Sequence, residues 1–145
     1  SSPVVRIPSE HVRLGDILLL QGRPSQVIRI STSAATGRHR YLGVDLFTGE
    51  HREESSFITH PVHAPEVTIH IVLGPVFKQY QLLDLAHDGA AVAMTETGNV
   101  RRGVRVLNSV RRRLTETFKG GKASILVLVV ATNEDGEIIV DMKPV

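Results

Sequence analysis

Short apolar segments separated by turn-forming residues recur along this chain, and this pattern restricts it to a mainly β fold. Ile17–Leu20 is a short apolar run typical of a buried strand, and residues 26–30 alternate as a half-buried strand does. Residues 48–50, Thr-Gly-Glu, have the composition of a hairpin turn. No apolar run approaches the ~20 residues that a membrane-spanning helix needs. The sequence therefore predicts many short strands.

The first half of the chain contains enough of these segments for a small barrel. Residues 31–37 are small and polar, which predicts an exposed loop. Residues 41–47 are predicted to form a strand, and residues 51–57 to return as a polar strand at a sheet edge. Residues 67–73 alternate again between apolar and polar side chains. About five strands of this kind indicate an SH3-like β-barrel.

One segment, residues 108–119, has helical spacing. Its apolar side chains recur four residues apart, at Val110, Leu114 and Phe118. Asn108 or Ser109 is expected to cap the start of the helix, and Gly120 with Gly121 supplies the end.

The second half has strand-like segments on both sides of this helix. They cover residues 76–85, 90–95, 125–131 and 138–142. Five short strands with one helix before the last two are the pattern of an OB-fold barrel. Gly74-Pro75 is the best candidate boundary. We therefore predict an SH3-like barrel in residues 1–73 and an OB-fold domain in residues 74–145.

Composition limits the function classes. The 145 residues are 41% hydrophobic and 22% charged, which suits one domain or two small ones. A net charge of +2 gives little support to strong binding of a polyanion. The chain has no cysteine, so it has neither disulfides nor thiolate chemistry. No cofactor is expected.

Residues 31–47 resemble the exposed loop and following strand of eukaryotic translation factor 5A. In that family the loop carries a lysine that is modified to hypusine. Here the first lysine of the chain is Lys78, and an arginine guanidinium cannot replace the amine on which the modification builds. The chain therefore resembles the scaffold of that factor without its chemistry.

Longer blocks resemble the Woronin-body core protein family of filamentous fungi. These blocks are residues 26–37, 39–47, 53–57, 73–80 and 93–98. The resemblance implies a structural protein that self-assembles into the crystalline core of Woronin bodies. These peroxisome-derived organelles plug septal pores after hyphal damage. Members of the family end in a peroxisomal targeting tripeptide of the Ser-Lys-Leu type, which is absent from this chain, since it ends Met-Lys-Pro-Val.

The implied partners are further copies of this chain, with organelle membrane proteins in addition, and no small-molecule substrate. His11 and Arg13 are the candidate self-association residues, because they match positions that look like lattice contacts in the family. They would share one face if the segment were a strand, since only Val12 separates them. The alternative is a solvated edge strand whose basic residues discourage pairing.

Other functions have weaker support. His60 and His63 suggest a metal pair, but a proline separates them and no cysteine or clustered carboxylate completes a site. The Arg111–Arg113 run could bind phosphates, so a nucleic-acid or ribosome-binding module that retains a role like that of translation factor 5A is the alternative function. Only 4% of residues are aromatic, however, and bases need stacking platforms. No spacing suggests a nucleophilic triad, so an enzyme is not expected.

Overall fold

The computed structural model describes residues 3–121 and 124–145, and the chain divides into two compact units, Ser1–Val76 and Phe77–Val145. The predicted mainly β fold is confirmed. The first unit contains the strands β1 (Val4–Pro8), β2 (Ile17–Leu20), β3 (Arg23–Thr32), β4 (His39–Asp45), β5 (His51–Ser55), β6 (Phe57–Thr59) and β7 (Ile69–Pro75). The second contains β8 (Lys78–Leu85), β9 (Ala91–Met94), β10 (Val100–Val106), the helix α1 (Asn108–Gly120), β11 (Ile125–Thr132) and β12 (Gly136–Pro144).

Two antiparallel sheets build the first unit, in the manner of a small SH3-like barrel. One sheet has the order β2-β3-β4-β5 and the other has the order β1-β7-β6. Inward side chains of the two sheets and Val12, which lies between β1 and β2, form one small core, made of Val12, Leu18, Leu20, Val27, Tyr41 and Val72. This core fixes the positions of the loops that leave the sheets.

The segment around Gly74 belongs to a strand of the first unit. Val5 pairs with Gly74 and Val4 pairs with Pro75 in the β1–β7 ladder. A Cβ atom at Gly74 would lie 2.5 Å from the Cδ1 atom of Ile7, so a larger residue here would require the Ile7 side chain to move. The boundary predicted between residues 73 and 74 therefore falls inside β7, and the division of the chain follows Val76.

The second unit is a closed five-stranded barrel with the order β10-β12-β11-β8-β9. Strands β10 and β12 pair in parallel, and the other neighbours pair antiparallel. The helix α1 connects the third strand of the barrel to the fourth. This strand number, closure and helix position confirm the predicted OB-fold.

The helix α1 packs against the barrel through its predicted apolar face. Val110 and Leu114 are buried, and Phe118 is partly buried against the same core. The predicted cap is wrong, because Leu107 occupies the N-cap position and no side chain caps the first turn. The predicted end is confirmed: Gly121 has φ +63°, and its N–H donates to the Phe118 carbonyl at 3.1 Å.

Candidate self-association surface

The segment that carries His11 and Arg13 is a surface turn rather than a strand. Ser9–His11 forms one turn of 3-10 helix, and the N–H of Val12 donates to the Ser9 carbonyl at 3.2 Å. Val12 is 5% exposed and belongs to the core of the first unit. The condition under which His11 and Arg13 would share one strand face is therefore not met, because a helical turn followed by a tight turn replaces the alternation of a strand.

Hydrogen bonds hold the Arg13 end of this segment in one conformation. The Arg13 N–H donates to Asp16 Oδ2 at 2.8 Å. The Arg13 Nη1 atom donates to the carbonyls of Glu10 at 2.8 Å and Val12 at 3.1 Å. The N–H of Gly15 then donates to the Val27 carbonyl at 2.8 Å, which attaches the turn to β3.

This segment, residues 9–16, presents charged and apolar side chains together to solvent, and we call it the 9–16 turn. The His11 side chain is 66% exposed and lies 3.8 Å from the carboxylate of Glu10. Arg13 is also exposed. Leu14 is 66% exposed, although an apolar side chain of this size gains free energy from burial. Sequence reasoning missed Leu14, whose only signal was an apolar residue next to a glycine.

The loop that resembles the hypusine loop is an ordered turn between β3 and β4. The N–H of Gly37 donates to the Ser33 carbonyl at 2.8 Å, and the N–H of Ser33 donates to the Arg38 carbonyl at 2.9 Å. The guanidinium of Arg38 donates twice to the Ser56 carbonyl, at 3.0 and 2.9 Å. The cationic group of this loop therefore fixes the backbone of a neighbouring segment.

The Arg111–Arg113 run does not form a single cationic clamp. Arg112 lies 3.2 Å from Glu116, and Arg113 lies 2.8 Å from Asp141. Arg111 donates instead to two backbone carbonyls. These side chains have different partners, so they do not converge on one phosphate.

The histidine pair has no additional ligands in the described part of the chain. His60 and His63 are both exposed, and His60 Nδ1 lies 3.0 Å from the Val67 carbonyl oxygen. Across residues 3–121 and 124–145, no group of three or more His, Asp or Glu side chains converges as a metal site would require. The same residues include no helix with the length and apolar character of a membrane span.

Asp45 is the centre of a buried charge cluster that sequence reasoning did not detect. Its side chain is 0% exposed. It accepts from Arg23 Nε at 2.8 Å and from Arg52 Nη2 at 3.4 Å. The N–H groups of Phe47 and Thr48 also donate to it, at 2.9 and 3.1 Å. We call Asp45, Arg23 and Arg52 the Asp45 cluster.

The Asp45 cluster keeps its carboxylate ionised. Burial alone would raise the pKa of Asp45, since it disfavours the charged form. The hydrogen bonds from Arg23, Phe47 and Thr48, with the positive charge of Arg23, outweigh burial and hold the pKa well below its usual value. The cluster fastens the β4–β5 hairpin to β3, so its role is structural.

The comparison with known proteins identifies the family. The chain is 58% identical over 143 residues to the Woronin body major protein of Neurospora crassa, an alignment that covers 97% of this chain and 79% of that protein. This chain belongs to the Woronin body major protein family. The resemblance found in the sequence is thereby confirmed.

Other relatives in the Woronin body major protein family differ in length from this chain. The protein of Aspergillus fumigatus is 50% identical over 142 residues, and the chain spans 26% of its length. The protein of Emericella nidulans is 47% identical over 146 residues, and the chain spans 64% of its length. No family model matches the chain.

Translation factors are more distant relatives of the Woronin body major protein family. Eukaryotic translation initiation factor 5A-3 of Solanum tuberosum is 27% identical over 131 residues, which cover 86% of this chain and 76% of the factor. A solved translation initiation factor of this type from Naegleria fowleri superposes with a TM-score of 0.49 at 19% identity, covering 98% of this chain and 99% of the other. The corresponding factor from Methanococcus jannaschii gives a TM-score of 0.48 at 16% identity, covering 98% and 92%.

Proposed function

We propose that this chain is a structural protein that assembles with copies of itself into the solid core of Woronin bodies. The observation that carries the proposal is the 58% identity to a Woronin body major protein across nearly the whole chain. The loop without an amine supports it, since the hypusine chemistry of the translation factors has no acceptor there.

The proposal extends to location and partners. The assembled core would lie inside a peroxisome-derived organelle at the septum, where it plugs the pore of a damaged hypha. The main partner is a second copy of this chain, and organelle membrane proteins are further partners. The names of the Neurospora, Aspergillus and Emericella relatives support the Woronin body as the location.

A solid made of one protein needs several different contact patches on each subunit. Contacts that join one patch to a different patch on the next copy do not close, and so they extend into filaments and lattices. We propose the 9–16 turn as one of these patches. His11 and Arg13 supply charge, and Leu14 supplies exposed apolar surface. The low net charge of +2 limits long-range repulsion between copies.

Nucleic-acid or ribosome binding is the alternative function, and it has less support. Two of the three arginines of the helix are paired with acids of the same unit. Gel-shift measurements with single-stranded RNA at moderate salt test the alternative directly. Saturable RNA binding by a chain that remains monomeric would favour it over self-assembly.

The assembly proposal is tested by sedimentation and electron microscopy of the wild-type protein over a range of concentration and salt. Arg13→Glu should raise the concentration needed for assembly by about tenfold or more, because it places like charges across the proposed contact. Arg112→Glu is the matched control, since it makes the same charge change at a side chain that is 92% exposed on α1. Circular dichroism checks that both variants fold.

The possible outcomes test self-assembly separately from the role of the 9–16 turn as a contact. A wild-type protein that stays monomeric at all concentrations and salts would contradict the assembly proposal. Assembly of Arg13→Glu at the wild-type concentration would keep the proposal and exclude the 9–16 turn as a contact. Leu14→Ser, which removes exposed apolar surface without changing charge, shows whether the turn acts through packing or through ion pairing.

A further inference from the structure

A cleft in the second unit has the properties of a small-molecule site and is separate from the 9–16 turn. It lies between α1 and the turn that joins β8 to β9, and it encloses about 390 Å³. This volume lies within the ~300–1,000 Å³ range of typical ligand pockets. Leu85 and Phe118, which are partly buried, supply apolar surface in the cleft, and the fully buried Leu114 lies beneath them. An apolar ligand segment of modest length would fit such a lining.

The ionisable side chains that line the cleft are all basic. They are His87, Arg111 and Lys119, and the described lining includes no carboxylate. Three acids adjoin lining residues in sequence but are outside the lining, and each has another partner. Asp84 Oδ1 accepts from the Leu85 N–H at 2.8 Å, Asp88 Oδ1 accepts from the Ala90 N–H at 2.9 Å, and Glu116 pairs with Arg112 at 3.2 Å. The charge of the cleft therefore complements an anionic ligand.

Arg111 is held in place at the wall of the cleft. Its Nη1 atom donates to the Gly89 carbonyl at 2.9 Å, and its Nη2 atom donates to the Val106 carbonyl at 3.1 Å. Gly89 has φ +84°, a conformation that favours glycine, and its missing Cβ leaves room for the Arg111 guanidinium in its present position. Both acceptors are neutral, and they use only part of the donor set of a guanidinium.

The neighbouring arginines of α1 show how Arg111 differs. Arg112 pairs with Glu116 at 3.2 Å, and Arg113 pairs with Asp141 at 2.8 Å. Among the described residues, no carboxylate lies within 4.0 Å of Arg111, the distance that defines an ion pair. A partly buried cation without an anion is costly, and a bound carboxylate would complete its charge pairing.

We propose that this cleft binds an amphipathic carboxylate, a single carboxylate group on an unbranched apolar chain. The carboxylate lies against Arg111 and is attracted by Lys119. The apolar chain lies along Leu85 and Phe118. This assignment does not depend on the 9–16 turn, because each residue that defines the cleft belongs to the second unit.

Sodium hexanoate, octanoate and decanoate are the probes, each used below its micelle concentration. They compete with dansyl-labelled undecanoate in a fluorescence assay, at protein concentrations where sedimentation shows no assembly. Affinity should rise about three- to fourfold for each added methylene while the chain still fits the cleft. Octanol, which has the same chain without the charge, should bind about tenfold more weakly than octanoate.

Two substitutions on α1 locate the site. Lys119→Glu should weaken octanoate binding about tenfold, because it reverses a charge at the rim. Arg112→Glu makes the same charge change on the same helix outside the lining, and it should change octanoate binding less than twofold. Nuclear magnetic resonance shifts on adding octanoate should concentrate at Gly89, Thr115 and Phe118.

Arg111→Met removes the central cation and should abolish the preference for octanoate over octanol. Thermal unfolding of this variant shows whether loss of the Arg111–Gly89 hydrogen bond destabilises the protein. If Arg111→Met does not fold, the octanoate affinities of Lys119→Glu and Arg112→Glu still test whether the ligand binds in the cleft. Equal affinities of octanoate and octanol for the wild type, equal effects of those two substitutions, or shifts outside the cleft would each overturn the proposal.

Discussion

The two units keep their interiors folded by different means. The buried polar residues that the structure describes all lie in the first unit, and they are Ser9, Ser25, Asp45 and Ser56. The core of the second unit consists of apolar side chains and Tyr80, whose hydroxyl donates to Glu137. Polar contacts are directional, whereas apolar burial is roughly proportional to area. Directional polar contacts therefore define the loop positions of the first unit, whereas the second unit is stabilised mainly by burial of apolar surface.

The sizes of the two cores explain this difference. Six buried residues form the core of the first unit and thirteen form that of the second. A small core supplies little free energy, so the remaining order of the first unit must come from hydrogen bonds and ion pairs. The Asp45 cluster does this for the β4–β5 hairpin. We therefore expect that core substitutions lower stability through lost apolar packing in the second unit, and that substitutions at the Asp45 cluster lower it through lost hydrogen bonds and ion pairs in the first.

The largest expected effect is loss of apolar packing in the second unit. Leu114 is 0% exposed, so Leu114→Ala should lower the free energy of unfolding by about 3–4 kcal/mol. Urea unfolding measures the loss, and hydrogen exchange locates it. Leu83→Ala, at a side chain that is 40% exposed on β8, is the control and should cost no more than about 1 kcal/mol. Equal losses of amide protection in both units would contradict the division into separate cores.

Breaking the Asp45 cluster should cost somewhat less. Asp45→Asn leaves the cations of Arg23 and Arg52 without their buried carboxylate, and we expect a loss of about 3 kcal/mol. The lost amide protection should lie in β3, β4 and β5. Asp141→Asn removes a carboxylate that also binds an arginine but is 57% exposed, and it should cost less than about 1 kcal/mol. Similar losses for the two variants would show that burial does not strengthen the cluster.

Acid should weaken the first unit before the second, with a smaller effect than Asp45→Asn. The folded-state pKa of Asp45 is lower than its usual value of 3.8, so the folded protein binds fewer protons than the unfolded chain. The stability from this group is therefore complete above that value and is lost as the pH falls toward the folded-state pKa. Hydrogen exchange between pH 5 and pH 3 should show protection falling first in β3 and β4. Asp45→Asn should remove this part of the pH dependence, and an unchanged acid response in that variant would exclude Asp45 as its source.

The spacing of apolar residues within a short segment was sufficient to predict the helix α1 and the strand β2. The helix α1 follows from three apolar residues four apart and from the glycine pair at its end. Strand β2 matches its predicted bounds, Ile17–Leu20. Strand β10 has no predicted bounds, because its exposed arginines interrupt the apolar pattern. The N-cap was mispredicted since Asn108 lies inside the helix, where its side chain does not reach the free N–H groups.

Features that depend on distant residues were not predictable. Asp45 on β4 contacts Arg23 on the neighbouring strand β3 and Arg52 on the neighbouring strand β5. No regular spacing in the sequence relates these three residues. The sequence left open whether the segment around His11 is a strand, because a helical turn can also place one apolar residue between two basic residues. The family resemblance supplied the candidate contact, and its role in assembly stays a prediction.

Strand edges have a further consequence for a chain proposed to form an ordered solid. The second unit closes its sheet, whereas β5 forms an edge of the β2-β3-β4-β5 sheet in the first unit. An open edge can pair with any other strand and so can seed disordered fibres. Strand β5 has the sequence His-Arg-Glu-Glu-Ser, and charges along an edge disfavour such pairing. We therefore expect the same strand that anchors Arg52 in the fold to disfavour amyloid-like misassembly at the high local concentration of the proposed lattice.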